Sequence, residues 1–175
     1  MAFLRGMNVG GHRITNADLA DHFHDMGFED VLTYQASGNV LLGLGGDGEA
    51  SSVLEHRIAD GLEARLGYRV PTFLRSREDL SHLAEVDLFA GAEPGGKLQL
   101  VMLGSVPADD LAEAVLAMAT SDDKLGFDGA NLFWRPAAGI SESGLDVAGI
   151  ERIVGPMTIR TMGTIDRILA KLSMK

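Results

Sequence analysis

The order of strand-like and helix-like segments over the first 75 residues constrains the fold more than any other feature of the chain. Alternating apolar residues predict strands, apolar residues at every third or fourth position predict helices, and glycines mark helix ends. Strands are predicted at 2–7, 31–35, 39–44 and 69–74, and helices at 15–26 and 51–66. The resulting order is β-α-β-β-α-β, in which the second and third strands form a hairpin.

A similar order follows in the second half of the chain. Strands are predicted at 98–103, 124–127 and 131–135, and helices at 108–119, 143–154 and 164–174. We therefore predict an α+β fold of two ferredoxin-like (βαββαβ-type) halves, a structural duplication without a sequence repeat. The predicted parts are 1–75, a connecting helix and loop at 76–96 with a hinge at 91–96, and 97–175. Strands 2–7 and 31–35 are expected to be parallel and adjacent.

Individual side chains carry further structural expectations. Thr15 is expected to cap the first helix, and Ser51 or Ser52 the second, because serine and threonine hydroxyls accept hydrogen bonds from free helix N–H groups. Trp134 is expected in the core, and the pair Asp122-Asp123 is expected to be loop charge.

Charge is distributed unevenly in a protein of net charge −10 and pI near 4.8. Residues 1–14 carry two arginines and no acid, and 150–175 carry five basic and two acidic side chains, a net of +3. The acidic remainder disfavours nucleic acid as a partner. The chain has no cysteine, no apolar run approaching the roughly 20 residues that span a bilayer, and no signal-peptide pattern. These features predict a cytoplasmic protein that does not bind membranes.

The segment from Arg5 to Gly11 predicts an anion-binding corner. Arg5 and Asn8 stand beside Gly10 and Gly11, immediately before a predicted helix. Backbone N–H groups at a glycine turn, together with one guanidinium, suit phosphate or carboxylate. At least one of the two glycines is expected at positive φ. The alternative interpretation is a tight structural corner in which Arg5 pairs with an acid.

The hairpin turn places polar groups around a single glycine. Gln35, Ser37 and Asn39 offer amides and a hydroxyl that could orient a ligand. Such residues also commonly satisfy the backbone of their own turn, and this structural role is favoured.

Both segments resemble an uncharacterised bacterial family, domain of unknown function 1697. That family has a strand ending in Leu-Arg-Gly-Ile-Asn-Val-Gly-Gly, which stands here as Leu4–Gly11, and a Thr-Tyr-x-x-Ser-Gly-Asn-Val hairpin, which stands here as Thr33–Val40. Its C-terminal Thr-x-Arg-Asn-Trp-Asn-Thr is matched by Thr158, Arg160 and Thr164 without the Asn-Trp-Asn core. The resemblance implies an α/β fold of ferredoxin-like halves, and it implies no established activity.

Other functional motifs are disfavoured by their context. The glycine run at 43–48 satisfies G-x-G-x-x-G, but the next helix begins too late for a dinucleotide site, and a loop is favoured. The histidines show no metal-ligand spacing, Gly-x-Ser-x-Gly does not occur, and strand 39–44 lacks the aromatic residues of an RNA-binding sheet. No cofactor, metal or reaction is assigned, and neither is an oligomeric state.

We therefore predict a protein that binds a small anion of phosphate or carboxylate type in a polar recess near Arg5–Gly11. Two alternatives stay open: a structural or protein-interaction module without a small ligand, and a nucleic-acid binder. Arg5 and Arg160 are expected to meet in space. The predicted ligand-binding residues are Arg5, Asn8, Gly10, Gly11, Gln35, Ser37, Asn39, Arg160, Thr161 and Thr164.

Overall fold

The computed structural model describes residues 1–7, 11, 13–35, 38–43, 50–91 and 95–173. The chain divides into unit 1, Met1–Ser76, and unit 2, Arg77–Lys175. Residues 44–48 of the predicted glycine loop and residues 92–94 of the predicted hinge at 91–96 fall outside the described residues.

Unit 1 is a four-stranded antiparallel sheet with two helices. Its elements are β1 (Ala2–Leu4), α1 (Asn16–Asp25), β2 (Glu29–Tyr34), β3 (Asn39–Gly43), α2 (Ser51–Leu66) and β4 (Thr72–Leu74). The strand order is β2-β3-β1-β4. Thr15 caps α1 as predicted, because its hydroxyl accepts from the Asp18 N–H at 3.1 Å. The predicted cap of α2 is wrong: Ala50 occupies the N-cap position, and no side chain in the described part of the chain caps the helix there.

The predicted adjacency of the first two strands is also wrong. β1 pairs with β3, and β2 pairs with the far edge of β3, so β1 and β2 run parallel but are not neighbours. The physical reason is burial. β3 begins with the buried residues Asn39, Val40 and Leu41, whereas β2 begins with the exposed acids Glu29 and Asp30, which suit an edge strand.

One face of this sheet packs against α1 and α2. The buried core on this side comprises Ala2, Leu4, Met7, Leu19, Phe23, Phe28, Val40, Leu54, Ile58, Leu62, Val70 and Leu74. At the edge of the sheet, the Leu74 N–H donates to Glu55 Oε1 at 2.6 Å. Burial raises the pKa of the Glu55 carboxyl, against the lowering influence of this hydrogen bond and of Arg75.

Unit 2 has the same β-α-β-β-α-β order, preceded and followed by a helix. Its elements are α3 (Arg77–Glu85), β5 (Gln99–Leu103), α4 (Asp109–Leu116), β6 (Asp123–Asp128), β7 (Asn131–Pro136), α5 (Val147–Val154), β8 (Met157–Thr161) and α6 (Met162–Leu172). The strand order is β6-β7-β5-β8. The α+β class and the repeated order are thus confirmed, although β8 was not among the predicted strands.

One face of the second sheet packs against α4 and α5. Val101, Leu132 and Trp134 on the strands are buried together with Val115 of α4 and Ile150 of α5. The core position expected for Trp134 is confirmed.

Asp123 contradicts the expectation of a loop charge. It is 1% exposed, and its carboxylate accepts from Trp134 Nε1 at 2.7 Å, Ser143 Oγ at 2.7 Å and Thr120 Oγ1 at 2.8 Å. Burial raises the pKa of Asp123, but the hydrogen bonds from Ser143, Trp134 and Thr120 together outweigh burial and hold that pKa below its usual value of 3.8. This carboxylate joins the start of β6 to β7 and to the segment before α5.

Among the described residues, no helix is both long and apolar enough to cross a membrane.

Replacing Asp123 with Asn is expected to destabilise unit 2 by about 1–2 kcal/mol at neutral pH, because hydrogen bonds to a charged acceptor are the stronger ones. The folded-state pKa is lowered, so the stabilisation by the carboxylate is present above the unfolded pKa and is lost as the pH falls through the folded pKa. Urea unfolding between pH 7 and pH 2 should show the gap between wild type and Asp123→Asn narrowing below about pH 4.

The neighbouring Asp122→Asn variant is the matched control, because Asp122 is exposed. Equal behaviour of the two variants over this pH range would contradict the role assigned to Asp123.

Candidate functional site

The structure brings together the two segments that the sequence singled out in unit 1. The Leu4 N–H donates to the Gly38 carbonyl at 2.7 Å. Gly38 has φ +72°, and a Cβ built on it would lie 2.8 Å from Met7 Cγ and 2.9 Å from Leu4 Cβ. The corner after β1 therefore packs directly on the hairpin turn, and a Cβ at residue 38 would require Leu4 or Met7 to shift.

Gln35 and Asn39, two of the predicted ligand-binding residues, flank this turn and differ in burial. Asn39 is completely buried, and its Nδ2 donates to the Tyr34 carbonyl at 3.1 Å. Gln35 is exposed and has φ +58°. A buried amide that closes its own hairpin supports the structural interpretation of Asn39.

The corner itself is described in part. Arg5 is partly exposed, and its N–H donates to the Pro71 carbonyl at 2.9 Å. Gly11 has φ +90°, which confirms the expectation of positive φ for one glycine of the pair. Asn8, Gly10 and Ser37 lie outside the described residues.

A second polar cluster lies where β8 ends and α6 begins, entirely within unit 2. Arg160, the last residue but one of β8, donates from Nη1 to Thr158 Oγ1 at 2.8 Å and to the Ile159 carbonyl at 2.9 Å. Burial lowers the pKa of the Arg160 guanidinium to about 10. The guanidinium is therefore partly withdrawn from water and held in place by the strand itself.

The first turn of α6 adds hydroxyl groups and a second arginine. Thr161 and Thr164 share a hydrogen bond between their hydroxyls at 2.9 Å, and Arg167 Nη2 donates to Thr164 Oγ1 at 3.3 Å. Thr161 precedes the helix without capping it through its side chain. Gly163 is exposed, and among the described residues a Cβ on it would approach Arg167 Nη1 alone, at 3.8 Å.

We name the set Thr158, Arg160, Thr161, Thr164 and Arg167 the junction cluster. The sequence predicted Arg160, Thr161 and Thr164 as ligand-binding residues, and the structure places all three in this cluster. Arg167 was missed as a site residue, although its position three residues after Thr164 on a helix is a usable signal. Arg5 belongs to unit 1, so its expected meeting with Arg160 stays a prediction.

Within the described residues, no group of three or more histidine, aspartate or glutamate side chains is placed to hold a metal ion. His82 has an acidic partner, because its Nε2 lies 3.0 Å from Asp128 Oδ2 in an exposed pair. The chemistry available in the junction cluster is therefore that of guanidinium and hydroxyl groups.

Residues 1–133 match the family described as "Protein of unknown function (DUF1697)". The chain belongs to this family. The matched range contains both unit 1 segments of the DUF1697 pattern and ends before the junction cluster.

The fold of this DUF1697 protein has a solved counterpart. A conserved bacterial protein, SP0830 from Streptococcus pneumoniae, is similar with a TM-score of 0.78 and 20% sequence identity, over 98% of this chain and 96% of that one. At this identity the likeness establishes a shared fold. The comparison with curated proteins finds no match.

Gly38→Ala is expected to destabilise unit 1 more than Gly67→Ala does. Both glycines have φ near +75°, but none of the described residues comes within 4 Å of a Cβ on Gly67. The Gly67 variant should cost about 1–2 kcal/mol for the left-handed backbone alone. The Gly38 variant should add about 1–3 kcal/mol for overpacking. Denaturant unfolding measures both, and equal losses would show that the contact with Leu4 and Met7 yields easily.

Proposed function

We propose that this protein binds a small anion of phosphate or carboxylate type at the junction cluster. The observation that carries the proposal is the concentration of two guanidinium groups and three hydroxyls between Thr158 and Arg167, in a protein of net charge −10. An anion site in an acidic protein needs positive charge concentrated in one place, because the background potential repels the ligand.

The helix start supplies donors that suit an anion. The first N–H groups of a helix have no acceptor within the helix, and the Met162 N–H is already bonded to the Leu98 carbonyl at 2.8 Å. The N–H groups of Gly163 and Thr164 follow, beside an exposed glycine without a side chain to block approach. Together with the helix dipole, these groups favour negative charge at this end of α6.

The burial of Arg160 supports the same proposal. A guanidinium partly removed from water loses hydration, which is the cause of its lowered pKa. An anion at the cluster would restore the lost stabilisation through a charge-assisted hydrogen bond. The threonine hydroxyls, which both donate and accept, can orient the ligand.

The predicted participation of the Arg5 corner is a separate part of the hypothesis. Arg5 would supply positive charge, and Gly10 and Gly11 would let the ligand approach the backbone. The amides of Asn8 and Gln35 and the hydroxyl of Ser37 would orient the ligand. Asn39 contributes by closing the hairpin, since its Nδ2 is bonded to the Tyr34 carbonyl.

One observation favours the alternative of a structural or protein-interaction module. The tight packing of Gly38 on Leu4 and Met7, with Asn39 buried beneath the turn, explains much of the unit 1 pattern without a ligand. A module of this kind would need the motif residues for stability alone.

A thermal-shift titration with inorganic phosphate tests the proposal, because a ligand that binds only the native state raises its melting temperature. Wild type should show a concentration-dependent rise, and Arg160→Gln and Arg167→Gln should each show a smaller one. Each rise is measured relative to the unliganded melting temperature of the same variant.

Arg152→Gln is the matched control, since Arg152 of α5 is exposed and lies outside the cluster, paired with Asp146 at 3.1 Å. The junction cluster would be rejected as the binding site if phosphate raised the melting temperature equally in Arg160→Gln, Arg167→Gln and Arg152→Gln. An Arg5→Gln variant with an undiminished rise would remove Arg5 from the site. No rise with phosphate, acetate or citrate in wild type would favour the structural module.

A further inference from the structure

Three basic side chains share one face and one end of the sheet in unit 2. Phe133 and Arg160 both pair with Leu100 from opposite sides of β5, so they lie on the same face. Arg135 follows Phe133 by two residues on β7 and shares that face, because side chains alternate along a strand. Lys124 of β6 pairs directly with Arg135. We name Lys124, Arg135 and Arg160 the cationic row.

The pairing of Lys124 with Arg135 is unfavourable by itself. Like charges directly opposite each other on antiparallel strands repel, at a cost on the order of a few tenths of a kcal/mol. Asp123, the acid next to Lys124, does not relieve the repulsion. It lies on the opposite face, and its carboxylate is occupied by Trp134, Ser143 and Thr120.

Arg135 is also incompletely satisfied within the described part of the chain. Its Nε is buried and has no hydrogen-bond partner there. Leaving a donor of a charged group buried and unmatched is costly, so an anion that contacts this guanidinium would add stabilisation that the described residues do not supply.

Strand geometry sets the spacing of the row. Arg135 and Arg160 are two strands and two residues apart, which corresponds to about 12 Å between their Cα atoms at ~4.8 Å per strand and ~3.3 Å per residue. One guanidinium suffices for a bidentate contact with one phosphate or carboxylate. Two guanidinium groups and an ammonium spread over this width suit a ligand with more than one anionic group.

We propose that the cationic row extends the anion site, so that the ligand is a small molecule carrying at least two anionic groups, such as a polyphosphate or a polycarboxylate. This inference rests on the proposed function, because Arg160 belongs to both the junction cluster and the row. One anionic group binds at the junction cluster, and the next contacts Arg135 and Lys124.

Calorimetric titration of the full chain with tripolyphosphate and with orthophosphate, at matched ionic strength, tests the inference. Wild type is expected to bind tripolyphosphate about tenfold more tightly than orthophosphate. Lys124→Gln and Arg135→Gln should each lose most of that difference while their affinity for orthophosphate changes less than about twofold, since a charge that contacts the ligand acts on binding directly.

Arg152→Gln again controls for the loss of one positive charge. Arg135→Lys keeps the positive charge at position 135 but replaces the guanidinium, which can donate two parallel hydrogen bonds, with an ammonium group. Lys124 is exposed, so Lys124→Gln keeps the test valid if Arg135→Gln fails to fold. The inference would be overturned if Lys124→Gln or Arg135→Gln bound tripolyphosphate as tightly as the control variant Arg152→Gln does. If orthophosphate binding were still weakened by Arg160→Gln in that case, the proposed function would remain supported and only the further inference would be wrong.

Discussion

Strand β5 is the element on which the arrangement of unit 2 depends. It is buried along its whole length and pairs with β7 on one edge and with β8 on the other. Because register determines which face each side chain occupies, these two pairings place Trp134 on the face that packs against α4 and α5 and Arg160 on the opposite face. β1 holds the equivalent position in unit 1, between β3 and β4.

Local pattern was sufficient to predict most helices and strands but not their neighbours. Periodicity identifies a strand, whereas strand order is set by long-range pairing and by the burial that each strand tolerates. β2 with Glu29 and Asp30 could not take the central place that β3 occupies. β8 was missed even though Met157 and Ile159 alternate with Thr158 and Arg160, which is the pattern of a strand with one buried face.

The candidate site could be predicted only where its residues are close in sequence. Arg160, Thr161 and Thr164 fall within one segment, and the structure adds Arg167 from the next turn of α6. Lys124 and Arg135 lie on different strands, and nothing in the sequence links them until the register is known.

The adjacent acids Asp122 and Asp123 illustrate the same limit. Asp122 is exposed and Asp123 is buried, and the difference arises because β6 begins at Asp123.

The hydrogen bond from Leu74 to Glu55 has a consequence for self-association. Edge strands expose backbone N–H groups that another chain can extend into an intermolecular sheet. At the β4 edge, a donor is already occupied by the Glu55 side chain. At the β2 edge, Glu29 and Asp30 place negative charge where a second copy of this acidic protein would have to approach. Both edges of the unit 1 sheet are therefore less open to strand addition, the β4 edge at the Leu74 N–H and the β2 edge through electrostatic repulsion.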